Sequence, residues 1–193
     1  MYDYIRGSVT ELTPTYISID NNGIGYLVNI SLNTYSNLKP GAEATVYVHQ
    51  VIREDAYLLF GFATKDEREM FRLLISISGV GAGTARVILS SLTPDDVASA
   101  IAIADVRTLQ NIKGIGEKTA QRIVVELRDK VNKFSRKEGL SFLQAGSGTE
   151  EAITALIMLG FSKQAVEKVV MKIAGAEKGL SVEDIIKRAL KVL

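Results

Sequence analysis

Two copies of one pattern, 35 residues apart, decide how this chain is read: Ile77-Ser78-Gly79-Val80-Gly81-Ala82-Gly83-Thr84-Ala85-Arg86-Val87-Ile88-Leu89 and Ile112-Lys113-Gly114-Ile115-Gly116-Glu117-Lys118-Thr119-Ala120-Gln121-Arg122-Ile123-Val124. Six of the thirteen positions are identical, namely Ile, both glycines, Thr, Ala and Ile. Each copy sets Gly-aliphatic-Gly between two stretches of helical periodicity. A glycine pair at such a corner allows backbone angles and close approaches that a Cβ would block, while Val80 or Ile115 anchors the corner in the core. The first amides of the helix that follows have no intrahelical acceptor, and the helix dipole adds partial positive charge there. That combination makes a phosphate socket. Arg86 in the first copy, and Lys118, Thr119 and Arg122 in the second, stand beside it. The candidate DNA-binding residues are therefore Gly79, Val80, Gly81, Arg86, Gly114, Ile115, Gly116, Lys118, Thr119 and Arg122.

Other uses of these glycines fit less well. A P-loop needs Gly-Lys-Ser/Thr, but Glu117 separates Gly116 from Lys118, and Gly83-Thr84 lacks the lysine. A dinucleotide fingerprint needs its glycines directly after a strand, and here helical patterns precede them. The plain alternative is a pair of tight helix–helix turns. Duplication of the pattern inside a basic stretch weighs against it, because two sockets can grip phosphates on both strands of a duplex without reading bases.

That basic stretch emerges when the charge is divided along the chain. The whole sequence of 193 residues has 23 Lys and Arg against 22 Asp and Glu, for a net +1. Residues 1–63 carry 3 basic and 6 acidic groups, net −3; residues 64–137 carry 13 and 9, net +4; residues 138–193 carry 7 of each. A polyanion belongs on the middle block. With no cysteine and a single histidine, His49, the chain has no disulfides, thiolate nucleophiles, Cys-based zinc sites or His-cluster metal sites. Met1 to Leu12 lacks the apolar stretch of a signal peptide, and no apolar run reaches bilayer length, so a cytoplasmic protein with no membrane partner is expected.

The first third reads as β. Ile5–Leu12, Tyr16–Asp20, Gly25–Ser31, Ala44–Arg53 and Tyr57–Phe62 are Tyr-, Val- and Ile-rich runs separated by turn residues such as Asn21-Asn22-Gly23 and Lys39-Pro40-Gly41. Five strands in some sixty residues predict a small closed barrel of OB-fold size. At Thr64-Lys65-Asp66-Glu67 the pattern becomes helical, with a capping-box signature; Thr93-Pro94 and Asp105 open further short helices. After Lys133 periodicity stops, and a stretch ending in Gln144-Ala145-Gly146-Ser147-Gly148 reads as a flexible tether. From Thr149 three more helices follow, the last opened by Ser181. The expected architecture is multi-domain α+β: an OB-fold barrel (1–63), an all-α domain whose paired hairpins resemble tandem helix-hairpin-helix motifs (64–133), a linker (134–148) and a three-helix bundle (149–193).

The paired hairpins, set between a β-barrel and a tethered bundle, resemble the RuvA family, the Holliday-junction-binding subunits of bacterial branch-migration complexes. The resemblance spans the chain, including Val51-Ile52-Arg53-Glu54-Asp55-Ala56 in the barrel and Leu159-Gly160-Phe161 in the tail. It implies a non-catalytic, cofactor-free protein that binds four-way junction DNA as a homotetramer, or as two tetramers face to face. The motor would be a hexameric AAA+ ATPase of the RuvB type, with a RuvC-type resolvase as a further partner. By the same resemblance Glu54 and Asp55 form an acidic pin, although from the residues alone they are simply a solvated turn. The bundle would dock on the motor through Leu156, Leu159, Gly160, Phe161 and Val170, for most of which helical spacing favours a core role instead. First-hairpin lysine, frequent in that family, is missing here, which shifts the load to backbone amides and Arg86.

Three rivals stand beside this reading. All seven tyrosines lie between Tyr2 and Tyr57, compatible with a single-strand-stacking barrel, but the −3 charge opposes it. A nuclease or glycosylase would need a catalytic lysine or a carboxylate cluster beside a hairpin, and Asp95-Asp96 reads better as a helix start. A pure protein adaptor is the third, because the tail also resembles ubiquitin-associated bundles with their Gly-Phe turn.

Overall fold

The computed structural model describes residues 2–140, 148–177 and 179–193. The chain divides into two compact units, residues 1–137 and residues 138–193.

The first unit opens with five strands, β1 (Tyr4–Leu12), β2 (Tyr16–Asn21), β3 (Ile24–Ile30), β4 (Glu43–Ile52) and β5 (Tyr57–Phe62), which close into a barrel in the order β1-β2-β3-β5-β4. All pairings are antiparallel except β3 with β5, where Asn29 faces Phe60 and Ile30 faces Gly61. Period-two alternation sends Ile5, Ile17, Ile19, Val28, Ile30, Val46 and Val48 into the barrel interior. The predicted strands match the observed ones to within a residue or two at each end.

Between β3 and β4 lies a short helix, α1 (Leu32–Ser36), capped by Ser31, whose Oγ accepts from the Thr34 amide at 3.0 Å. Sequence reading passes over it, because five residues cannot display a helical period. The helical half of the unit follows as α2 (Lys65–Ile75), α3 (Ala82–Ser91), α4 (Pro94–Ala102), α5 (Val106–Gln110) and α6 (Glu117–Leu140). Phe60 and Phe62 of the barrel pack against Phe71 of α2, and the same core continues through Leu74, Ile88, Ile101, Leu109 and Leu127.

Two expectations change here. Thr64 does cap α2, accepting from the Glu67 amide at 3.1 Å, but the Glu67 carboxylate does not reach back to Thr64. It turns into the barrel side, where it accepts from Ser31 Oγ and, at 2.7 Å, from Thr34 Oγ1. Only 3% of Glu67 is exposed, and burial pushes its carboxyl above the ordinary glutamate range while the hydroxyl bonds pull it back. The complete capping box is instead at α4, between Thr93 and Asp96. The second change concerns the tether: α6 runs on to Leu140, past the predicted linker start at residue 134. Phe134 to Glu138 contains neither Gly nor Pro and is rich in straight-chain residues, so intrinsic propensity extends the helix where no apolar stripe would announce it. The remainder of the predicted tether, residues 141–147, lies outside the described residues.

The second unit contains α7 (Gly148–Met158), α8 (Lys163–Ala176) and α9 (Val182–Ala189) around a core of Ala152, Leu156, Val166, Val170, Ile185 and Ala189. Ser162 and Ser181 cap α8 and α9. Among the described residues, no helix is long and apolar enough to cross a membrane.

Candidate nucleic-acid interface

Both glycine corners have the same construction. Val80 N–H returns to Ile77 O at 3.0 Å and Ile115 N–H to Ile112 O at 3.1 Å, closing a turn whose tip is Gly79 or Gly114. Each of those two glycines has φ of +92°, a region closed in practice to other residues. Val80 and Ile115 drop into the core, only 4% and 6% exposed, so they position the corner and contribute no outward amide. The helices then begin, with Ala85 N–H bonding Gly81 O at 2.9 Å and Ala120 N–H bonding Gly116 O at 3.0 Å. The amides ahead of those first bonds, from Gly81 to Thr84 and from Gly116 to Thr119, precede any helical acceptor, and Gly81 makes no side-chain cap.

Gly81 and Gly116 differ from the tip glycines in a way that matters for ligands. Gly81 has φ −82° and ψ 168°, angles open to any residue. A Cβ on Gly81, Gly83 or Gly116 would meet nothing within 4 Å. Folding of the free chain does not require glycine there. The open space is at the same residues whose amides precede any helical acceptor, which leaves room for a phosphate to approach them.

The cations are distributed unequally. Lys118 is exposed in the first turn of α6, at the mouth of the second corner. Arg122, one turn on, donates from Nη1 to Ser78 O at 2.9 Å and lies 3.8 Å from Glu126, so it stitches the second hairpin's helix to the first hairpin's turn. Thr119 is half-buried beside Lys118. Arg86, expected at the first socket, points elsewhere: its Nη1 donates to Thr15 O and to Asn29 Oδ1, both at 3.1 Å. The reason is register, since Arg86 stands more than a turn past Gly81 on the side of α3 that faces the barrel. Arg86 thus adds no charge at the first corner, and the guanidinium that reaches that turn is that of Arg122, from the second hairpin's helix, on Ser78 O.

Glu54 and Asp55 occupy the tip of the β4–β5 hairpin, exposed, in a turn closed by Arg53 N–H to Ala56 O at 2.8 Å. Ile52 and Tyr57 beside them are 63% and 76% exposed. Of the tyrosines proposed as stacking surfaces, Tyr47 is occupied by Lys65 and Arg68 above its ring at 5.6 and 5.5 Å, and Tyr2 meets Tyr26 edge to face. His49 is a strand residue against Phe71, its pKa lowered by burial and by Arg72 and Arg68. Asp95 and Asp96 sit in the first turn of α4, and among the described residues no group of three or more His, Cys, Asp or Glu side chains could hold a metal.

In the bundle, two of the five docking candidates are corrected. Leu156 and Val170 have no exposed surface and belong to the core. Leu159 is 62% exposed, Gly160 turns the chain at φ +100°, and Phe161 is half-buried. Met158, which sequence reading missed, is 84% exposed next to Leu159; its place at the helix end, where periodicity no longer distinguishes faces, hid it.

A closed five-strand barrel carrying paired Gly-x-Gly hairpins, followed by a separate three-helix bundle, defines a multidomain helix-hairpin-helix protein. Family models agree on each part: the RuvA N terminal domain over residues 1–61, a SAM-like helix-hairpin-helix tandem over residues 71–129, and the RuvA C-terminal domain over residues 147–193. Similar proteins include those named Holliday junction branch migration complex subunit RuvA from Christiangramia forsetii, 48% identical, and Flavobacterium psychrophilum, 47% identical, each over 193 residues and all of both chains. The protein of that name from Parabacteroides distasonis is 49% identical over 196 residues, again covering both chains completely. The chain belongs to the RuvA family.

Proposed function

We propose that this chain is the non-catalytic, junction-binding subunit of a DNA branch-migration complex, holding four-way junctions without reading their sequence. One observation carries the reading: two structurally repeated corners present unpaired amides in the basic part of the chain, on the same compact unit as an exposed acidic hairpin tip. The full-length relatives bear the matching name. Duplex arms bind through their phosphates at Gly81–Thr84 and Gly116–Thr119, with Lys118 adding charge at the second socket.

Four copies assemble around their barrels, which gathers four Glu54-Asp55 tips near the crossover. There they repel phosphate and keep the strands apart. A single tetramer leaves one face of the junction open to a RuvC-type resolvase, whereas two tetramers cover both. The bundle recruits a RuvB-type hexameric AAA+ motor through the exposed Met158, Leu159 and the edge of Phe161. Energy for migration comes from that motor, and the complex works in the cytoplasm.

Gel shifts with four-way, linear duplex and single-stranded DNA of matched sequence test the proposal, together with solution mass with and without a synthetic junction. Tightest binding to the four-way substrate, uncleaved, with a mass of four or eight chains, is expected. Equal affinity for all three substrates, or cleavage products, would refute it.

A further inference from the structure

The diverted Arg86 is one end of a polar chain that leads to the acidic hairpin. Arg86 Nη1 donates to Asn29 Oδ1 at 3.1 Å, and Asn29 Nδ2 donates in turn to Leu59 O at 3.2 Å. Leu59 lies on β5, the strand that descends directly from the Glu54-Asp55 tip, and β3 pairs with β5 beside it at Asn29 and Phe60. At its other end Arg86 sits on α3, whose N-terminus is the first socket. The side of α3 facing the barrel is tied down twice more. Leu32 N–H donates to Ser90 Oγ at 3.1 Å, and Asn33 Nδ2 donates to Leu89 O at 2.5 Å and Leu92 O at 2.9 Å, satisfying carbonyls at the helix end that would otherwise lack partners.

This arrangement answers a physical need. A hairpin joined to a barrel by apolar packing alone can slide, because dispersion contacts are not directional, whereas a guanidinium held between two oxygens fixes both distance and angle. The ring contacts of Phe60 and Phe62 are with Phe71 on α2, and the buried core runs on from them to Ala85, Ile88 and Leu89 of α3. At α3 a directional polar tie, from Arg86 to Thr15 O and Asn29 Oδ1, is added to that apolar packing.

We infer that Arg86 and Asn29 are positioning residues that set the first phosphate socket relative to the acidic tip, and so determine selectivity for branched over linear DNA. The inference rests on the proposed junction binding. A linear duplex needs only the sockets. An open four-way junction must satisfy sockets and tip together, so an error in their relative placement costs junction affinity alone.

The test measures affinity for a four-way junction and a linear duplex, across a series of salt concentrations, for the full-length wild type and for Arg86→Ala, Asn29→Ala, the Arg86→Ala/Asn29→Ala double variant and Arg86→Lys. Both alanine variants should lose about tenfold in junction-over-duplex preference, the scale of one charge-assisted hydrogen bond, with duplex affinity and salt slope unchanged. The double variant should do no worse than either single one, because the two residues act as a unit. Arg86→Lys keeps the charge but not the planar, preorganised donor group, and should lose selectivity like Arg86→Ala. A contrary pattern overturns the inference: Arg86→Ala weakening both DNAs equally with a slope lower by about one, Asn29→Ala silent and Arg86→Lys normal would make Arg86 an ordinary phosphate contact. Selectivity unchanged in all variants would make the chain of bonds mere packing. Should the alanine variants not fold, as read by thermal melting, Arg86→Lys alone decides between these outcomes. A wild type that does not prefer junctions would remove the functional proposal and this inference with it, whereas a selective wild type with selective variants removes only the inference.

Discussion

The two glycine corners share a backbone and a buried anchor, and differ in the charged side chains attached to them. Both tips have φ of +92°, both anchor residues are buried, and both helices begin with the same free amides. Yet Gly83 stands where the second copy has Lys118, and the barrel-bound Arg86 stands where it has Gln121. The second corner has Lys118 exposed in its first turn, on a helix of 24 residues. The first has no lysine in its helix and receives Arg122 from the second hairpin on Ser78 O; its helix of 10 residues is tied to the barrel through Arg86 and to α1 through Ser90 and the carbonyls of Leu89 and Leu92. Under the proposed function, binding strength would fall mainly to the second copy and the setting of the binding direction to the first.

Several variants would break or sharpen that division. Lys118→Ala should have the largest effect, weakening junction binding about tenfold at low salt and lowering the salt slope by about one, the signature of one lost phosphate contact. The complementary change, Gly83→Lys, should strengthen binding and raise the slope by a similar amount, since the exposed position has nothing within 4 Å of a new Cβ. If Lys118→Ala leaves affinity unchanged at every salt concentration, the second corner is not the stronger one. Next in size are the tips: Gly79→Ala and Gly114→Ala should each cost about 1 kcal/mol or more of stability through the positive φ alone, read as a shift in chemical denaturation midpoint. A clear difference between the two would show that the barrel ties hold the first corner in shape, and no loss at either would contradict the turn geometry.

The acidic tip probes both corners together. Glu54→Gln combined with Asp55→Asn should raise affinity for plain duplex about threefold and erode the preference for junctions, because the tip's repulsion acts on any phosphate near it. Unchanged discrimination would mean that the sockets alone select branched DNA.

How much of this the amino-acid sequence discloses depends on the physics of each feature. The corners, their buried Val80 and Ile115, and the strand boundaries are legible because glycine pairs, repeats and period-two alternation are local signals that few other structures produce. The exposed tip at Glu54-Asp55 is legible as a turn, though its functional role comes only by resemblance. Arg86 misleads because charge near a socket says nothing of which side of the helix the charge occupies once a second domain packs there. Glu67 misleads in the same way: the local capping motif is present, and Ser31 and Thr34, more than thirty residues earlier in the chain, outcompete it. Helix α1, which supplies Asn33 and Thr34 to these long-range bonds, is too short to announce itself. For Leu156 and Val170, burial rules out the docking face that resemblance implies, in line with the core role that helical spacing favours.

The smallest predicted effect is also the most direct test of what the open glycines are for. Gly81 has nearly the same backbone angles, φ −82° and ψ 168°, as Ser31, φ −81° and ψ 166°, which caps α1 by accepting from the amide three residues on. Gly81→Ser therefore introduces a hydroxyl already set to accept from Thr84 N–H, and should stabilise the chain by a few tenths of a kcal/mol. The same hydroxyl occupies an amide that a phosphate would use and fills the space over its neighbours. Junction affinity should then fall by about threefold while the denaturation midpoint rises slightly. Opposite signs in the two measurements are the expected result, because helix capping and phosphate binding compete for one donor. Should affinity and stability rise together, the free amides of the first corner are not where DNA binds, and the second corner carries the duplex contacts alone.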